Sequence, residues 1–547
     1  MKLPAFARLT LIFFVGLCLL MFTSCGSKQE SQRERGTREG ILHIANGDDA
    51  RTLDPQVATG IAEGNIINAL FEGLVSVHPQ SLKIEPAVAE RWEVSEDGLH
   101  YRFYLRDDVR WSNGEKLVAD DFIYSWKRML DVDNALTFSY LFFYIKNAEA
   151  FNKGLIEFHK VGVRAVGESL LDVELAAPTP YFLSLLDHFS FYPLHPPTIE
   201  KHKAADPRLS LWTLAENFVG NGAFTMKTWL PDQKVEVQAN PHYWDAETVK
   251  LKGMVFHSIP DKLVEELAFR SGQVHITYTP TLAIEKLAYY RANKPELVKI
   301  SPVYASEFYR FNTRIAPFND VRVRRALALS VDRETLVKRV MKAGQEPAWS
   351  LVPPLENNYQ PQKHFSYDIE LSQSLLAEAG YANGEGFPKI DLLVVSSRIS
   401  INLAVALQQM WKNNLNIDVE IRNQELKAYF ATRSAHDFMM VSGIWYADYL
   451  EPSNFFELMY SFSGNNYTGW HHAEYDALMD ALKRTQEKEK RLNLFEEANK
   501  ILAEEMPVIP LFYPQAVNLV HPEVRNWVQS PIAHVHYKHV SLNSEKQ

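Results

Sequence analysis

The sequence predicts a mixed α/β protein. Alternating and helix-period apolar patterns follow one another irregularly from residue 41 onward, and the 547 residues are 46% hydrophobic. Two cysteines leave no room for a disulfide framework, so stability has to come from a large core. Ile41–Asn46 alternates and opens as a strand. Tyr101–Arg106 alternates too, and Ser112-Asn113-Gly114 beyond it reads as a turn. Asp120–Leu130 carries Phe122, Trp126 and Leu130 on one helical stripe. A strand is expected at Lys234–Gln238, then helices at Val321–Met341, Ser372–Ala379 and Ile401–Asn413. The last of these runs into a strand at Ile417–Ile421, and helices at Ala473–Arg484 and Lys488–Glu504 follow. Length suggests two to four structural units.

The N-terminus points to export. Lys2 and Arg8 precede an apolar run, Leu9–Met21, which is shorter than the ~20 residues a membrane-spanning helix needs. Thr23, Ser24 and Cys25 follow. This order resembles a bacterial lipoprotein signal, with Phe22 where leucine is usual, and implies that residues 1–25 end at a lipidated Cys25 anchored to a bacterial membrane. Cys18 lies within the apolar run, so cleavage before Cys25 leaves one cysteine. Residues 26–40 contain no apolar side chain and read as a flexible tether. A net charge of −10 argues against a nucleic-acid partner.

The strong catalytic patterns are missing. There is no Gly-x-Ser-x-Gly elbow, no phosphate-binding Gly-Lys-Ser/Thr loop and no His-Glu-x-x-His zinc helix. Gly220-Asn221-Gly222 departs from the dinucleotide pattern. Asp131-Val132-Asp133-Asn134 begins like a calcium loop but has Leu136 where the turn glycine belongs. His534, His536 and His539 read as packed or surface histidines. Neither an enzyme, a metal nor a cofactor is expected.

An ordered set of short motifs resembles the family 5 extracellular solute-binding proteins. It begins with Leu53-Asp54-Pro55, Leu70-Phe71-Glu72-Gly73-Leu74 and Pro86-x-Val88-Ala89-Glu90-x-Trp92. Phe103-x-Leu105-Arg106, Val109-x-Trp111-Ser112-x-Gly114 and Asp120-Asp121-Phe122-x-Tyr124-Ser125-Trp126-x-Arg128 follow. Gly220-Asn221-Gly222-x-Phe224, Asn240-Pro241-x-Tyr243-Trp244, Pro317–Arg322, Asp332-Arg333 and Ala447-Asp448-Tyr449-x-Glu451-Pro452 complete it. The resemblance implies a two-lobed periplasmic-binding-protein fold with a hinged ligand cleft and a domain inserted in the first lobe. Lobe I would comprise 41–71, 197–303 and 516–547, the inserted domain 72–196, and lobe II 304–515. It further implies a monomer that captures short peptides, closes on them and delivers them to the permease and ATPase of an ABC importer. The Pro317–Arg322 segment and the Ala447–Pro452 motif look most like the oligopeptide-binding branch, with cell-wall (murein) peptides as the alternative ligand. A peptide sensor or chaperone and an exported enzyme are the other readings.

The resemblance also assigns residues. Asp448 matches the aspartate that meets a peptide's α-ammonium. Ile444, Trp445, Tyr446 and Ala447 would form a strand edge for the ligand backbone, with at most one of the two aromatics touching ligand because side chains alternate. Thr59, Gly60 and Ile61 would pair from the other lobe. Arg433 matches a position that binds the carboxylate of longer peptides, suited by its two-pronged guanidinium. Ser442 stands where relatives carry a second arginine, and Ser400 and Met341 fill other basic positions. Arg398 and Arg310 are candidates to replace those cations.

Cys25→Ser, or inhibition of the lipoprotein signal peptidase, is expected to move the protein from the membrane to the soluble fraction. Fractionation of the producing cells checks this, and retention of the serine variant in the membrane would contradict it.

Overall fold

The computed structural model describes residues 30–204, 209–277, 284–355, 358–532 and 535–543. The expected lipidation site Cys25, the apolar run before it and His534 therefore lie outside the described residues.

Helix α1 (Gln32–Glu39) leads through Gly40 into β1 (Ile41–Ala45), and α2 (Ile61–Leu70) follows. Strands β2 (Ala89–Val94), β3 (His100–Leu105), β4 (Val163–Ala165) and β5 (Leu170–Glu174) form an antiparallel sheet in the order β2-β3-β5-β4. Helix α3 (Ala119–Leu130) covers it. Strands β6 (Phe224–Leu230), β7 (Lys234–Ala239), β8 (Gly253–His257) and β9 (Ile276–Thr277) return to β1, giving a five-stranded sheet ordered β9-β1-β8-β7-β6. Helix α4 (Lys262–Arg270) joins β8 to β9.

After β10 (Val298–Pro302) the chain enters a second large sheet at β11 (Ala305–Phe311). Helix α5 (Val321–Leu329), β12 (Glu346–Pro347), α6 (Ile369–Glu378) and β13 (Ile390–Val395) follow. Next come α7 (Arg398–Leu415), β14 (Val419–Gln424), α8 (Leu426–Ser434) and β15 (Met440–Tyr446). Helices α9 (Ala473–Arg484) and α10 (Lys488–Glu505) precede β16 (Val508–Tyr513) and β17 (Gln515–Leu519). The second sheet runs β12-β16-β11-β15-β13-β14. The chain thus crosses between the two large sheets twice, at 302–305 and at 513–515. The antiparallel ribbon β10–β17, from Val298↔Leu519 to Pro302↔Gln515, lays the crossings side by side.

Each sheet has its own apolar core, and the motifs picked out in the sequence act largely as joints between segments. Asp54, fully buried, accepts both Nη atoms of Arg128 at 2.7 and 3.2 Å, and also Ser210 and Trp212. Glu72 accepts the Tyr243 hydroxyl and the Trp244 indole. Gly222 cannot carry a side chain, because a Cβ would fall 2.5 Å from the Leu70–Phe71 backbone. Paired this way, buried charges retain their partners and hold distant segments in register.

Two expectations are corrected. Residues 32–39 of the supposed tether form α1. Apolar content does not reveal this helix because polar devices hold it: a Ser31–Glu34 capping box, Gly40 as a left-handed C-cap and an Arg33–Glu523 ion pair. The helix lies close on β1, since a Cβ at Gly36 would sit 2.5 Å from the Ile41 carbonyl oxygen. The expected helix Val321–Met341 breaks after Leu329. Asp332 caps a new turn by accepting from the Thr335 amide, and buried Arg333 donates to the carbonyls of Ala328, Val331 and Pro510.

Beneath α1 lies a histidine cluster. Gln32 Nε2 is 3.1 Å from His43 Nδ1, which is 3.1 Å from His257 Nε2; His275 Nδ1 accepts the His43 amide and its Nε2 meets the Thr37 hydroxyl. Burial, reinforced for His43 and His275 by neighbouring imidazoles and arginines and for His257 by Lys234, holds His43 and His257 near about 4 and His275 near about 3. Unfolded histidine titrates near ~6.5, so below that pH the unfolded chain binds more protons and stability falls until the folded values are reached. The melting temperature is therefore expected to drop between about pH 6.5 and pH 4. His43→Gln should flatten that drop, as calorimetry across the interval would show, and equal slopes in both proteins would contradict it.

Candidate functional site

The site starts from the way β15 pairs. Along β11 the register is antiparallel, from Phe311↔Met440 to Ala305↔Tyr446. The Ala447 amide donates to Tyr304 O, and the Asn312 amide to Met439 O. Antiparallel alternation then turns the N–H and C=O of Val441, Gly443, Trp445 and Ala447 toward β11, and those of Met440, Ser442, Ile444 and Tyr446 to the other side. On that side β13 pairs only with Met440 and Val441 before diverging. Ser442 O accepts the Tyr429 hydroxyl. Ile444 and Tyr446 are left with main-chain groups on an open edge. Of the four residues expected to form this edge, Trp445 and Ala447 therefore do not: their backbone groups are committed to the neighbouring strand.

Side chains follow the same alternation. Tyr446 is 47% and Ile444 39% exposed, whereas Trp445 turns into the protein and its Nε1 donates to Asn454 Oδ1 at 2.7 Å. The aromatic presented at the edge is Tyr446. Glu307, cross-strand from Ile444, is pushed up to about 8 by burial.

Asp448 lies two residues past the open edge. Its Oδ2 accepts from the Tyr140 hydroxyl at 3.1 Å and from Asn454 Nδ2 at 3.3 Å, and its amide donates to Asn454 Oδ1 at 3.3 Å. Burial raises the carboxyl above the usual range, and the two side-chain hydrogen bonds oppose that rise. The next residue fixes its position. Tyr449, fully buried, stacks on Tyr181 with centroids 4.9 Å apart and planes 3° from parallel, joining the core beneath α3. Glu451 pairs with buried Arg491, whose guanidinium also donates to Leu482 O. Glu457, raised to about 7 by burial and then by Glu451, adds a third carboxyl to this region.

The basic candidates separate into two groups. Arg433, in the last turn of α8, stacks over Tyr467 at 4.2 Å and Phe430 at 4.8 Å, and its Nε is buried with no described partner. Arg310 on β11 is 1% exposed and lies 5.8 Å from the same Tyr467 ring. Arg398 instead opens α7, exposed, near enough to Lys262 of α4 to depress that lysine further after burial has lowered it. Ser400 is engaged by the Ser397 cap, and Met341 is packed in the core of the second sheet. Thr59 and Gly60 precede α2, Gly60 as its extended N-cap, and Ile61, 43% exposed, is the first residue of that helix rather than part of an extended segment.

Tyr140, Asn454, Glu307, Tyr467 and Gly443 were missed. Only Gly443 carries a signal, as a glycine directly before the expected edge Ile444–Ala447. The others are brought in by tertiary packing from distant segments.

Comparison with known proteins follows the same lines. A family model described as bacterial extracellular solute-binding proteins, family 5 Middle, matches residues 83–467. The oligopeptide-binding protein of Bacillus subtilis is 32% identical over 92% of this chain and 93% of its own. The murein tripeptide-binding protein of Escherichia coli superposes with a TM-score of 0.78 at 30% identity, covering 92% of this chain and 98% of that one. The oligopeptide-binding protein of Haemophilus influenzae, in complex with the peptide RPPGFSPFR, gives 0.77 at 29% identity, covering 92% and 99%.

Proposed function

Because the chain belongs to the bacterial extracellular solute-binding proteins of family 5, we propose that it is the oligopeptide receptor of an ABC importer, held outside the cytoplasm by lipid on Cys25. The two large sheets belong to lobes I and II, the β2–β5 sheet to the inserted domain, and closure about the β10–β17 ribbon encloses the ligand in a monomeric protein. One observation carries this reading: a half-buried carboxylate, Asp448, stands at the end of an open strand edge. A receptor for many peptides must grip what all of them share. The edge at Ile444 and Tyr446 supplies sequence-independent backbone bonds by strand addition, and Asp448 supplies the charge for the α-ammonium. Tyr140, reaching Asp448 from the inserted domain, links the two bodies at that point. Thr59 and Gly60 offer backbone from lobe I just ahead of α2, and Arg398 stands near Lys262 across from it. The same anchors would accept a murein peptide, a second reading supported by the superposition on the murein tripeptide-binding protein.

Asp448→Ala is expected to weaken free-amine peptides by about 2–5 kcal/mol, the range for truncating one member of a buried charged pair. N-acetylated peptides should bind the wild type poorly. Since burial holds the Asp448 carboxyl above its ordinary range, affinity should fall with decreasing pH sooner than for an exposed aspartate. Isothermal titration with free-amine, acetylated and murein peptides checks all three. Equal affinity for free and acetylated peptides would remove Asp448 from this role, and binding of murein peptides alone would replace the oligopeptide reading.

A further inference from the structure

Helix α1, Gln-Arg-Glu-Arg-Gly-Thr-Arg-Glu, has no apolar side chain, so the hydrophobic effect contributes little to holding it on the sheet beneath. It is seated by polar contacts, and several of them end on imidazoles. Gln32 Nε2 stands 3.1 Å from His43 Nδ1 and 3.4 Å from His257 Nε2, and the Thr37 hydroxyl lies 3.1 Å from His275 Nε2. Between these contacts Gly36 rests on the rings themselves. A Cβ there would fall 2.7 Å from His43 Cδ2 and 3.0 Å from His275 Cε1. Away from the rings, Arg33 pairs with Glu523 and its amide donates to Gly272 O.

The seat fits neutral rings. His43 Nδ1 and His257 Nε2 are 3.1 Å apart, so one must accept the other's proton, and protonating both turns N–H toward N–H. His275 Nδ1 accepts the His43 amide at 2.9 Å, and a proton on that nitrogen would leave an amide of β1 without its partner. The charges facing the cluster do not offset added cations. From α1 come Arg33, Arg35 and Glu39, the last paired with Arg38 at 3.3 Å. From β7 come Lys234 and Glu236, paired with each other at 2.6 Å. From the segment after β17 come Glu523, taken by Arg33, and His521, stacked on Phe269. An open cleft of about 280 Å³ between α1 and β7 reaches His43 and gives protons a way in.

We propose that α1 is an acid-released clasp: protonation of His43, His257 and His275 frees residues 31–40 while the sheet beneath stays folded. The direction follows from proton binding. Docked, burial holds His43 and His257 at about 4 and His275 at about 3. Freed, the rings return to ~6.5, so the undocked state binds more protons below that pH and docking weakens down to about pH 4. At about pH 5 each histidine moves the balance ~30-fold toward release. On the reading that Cys25 carries lipid, release adds residues 31–40 to the link with the membrane, up to ~35 Å of further reach when extended.

The test is hydrogen exchange read by mass spectrometry, as protection factors at about pH 7.5 and about pH 5, on the mature chain carrying Cys25→Ser. At the lower pH residues 32–40 should lose protection by ~30-fold or more, while β6 and β11 keep theirs. His43→Gln and His257→Gln should each hold α1 ~30-fold better than wild type at about pH 5. Gly36→Ala, which leaves every histidine in place, should release the helix already at about pH 7.5. Calorimetry identifies any variant that does not fold, and the wild-type comparison stands without them. Equal protection of residues 32–40 at the two pH values would overturn the clasp, as would an equal loss in wild type and the folded histidine variants. A loss shared by β6 and β11 would overturn it too, because it marks unfolding of the whole protein. Retention of Cys25→Ser in the membrane would overturn the gain in reach and leave the release standing.

Discussion

Everything at the site depends on β13 parting from β15 after two residues. Main-chain polar groups in a protein are paired almost without exception, and a strand with a bare edge is usually covered or blunted. Here the sheet is interrupted where Ile444 and Tyr446 face outward. Water can satisfy those groups, but another extended chain satisfies them in the geometry the sheet already has. Selectivity for an extended backbone then needs no side-chain recognition, and the surrounding charges are free to mark the ends of whatever lies along the edge.

Such an edge is useful only if its end is fixed. The segment after β15 is fastened at successive residues: Tyr449 in the aromatic core beneath α3, Glu451 on Arg491, and Asn454 bridging Trp445 and Asp448. Further away, Asp54–Arg128 and Glu72 with Tyr243 and Trp244 lock the early segments to the bodies they serve. The short motifs that mark this sequence are mostly these fasteners. They are recognisable because a buried ionic or hydrogen-bonded joint tolerates few substitutes, and their spacing records which segments meet.

That explains what was legible in the sequence. Long periodic segments such as Ala473–Arg484 were placed to the residue, because one apolar stripe dictates one buried face. Helix α1 was lost because its stabilisation is polar and local, and the break after Leu329 because Asp332 and Arg333 re-cap the chain where the apolar pattern runs on. At the site, Asp448 and Arg433 are assigned by the family resemblance, and alternation allows one exposed aromatic. Which aromatic it would be, and which backbone groups stay open, depends on the hydrogen-bonding parity with β11, which no single-strand pattern encodes. Tyr140 and Tyr467 reach the site from 308 residues before Asp448 and from beyond α8, so only the assembled fold brings them in.

The ribbon β10–β17 has a mechanical consequence. Two strands cross side by side, through Val303–Tyr304 and through Pro514, and five residue pairs lock them together. Sliding one crossing past the other would break that ladder, and rotating the bodies about their long axis would wring it. Bending both strands together costs only small changes in backbone torsion. The two large sheets are thus joined by a ribbon with one soft direction.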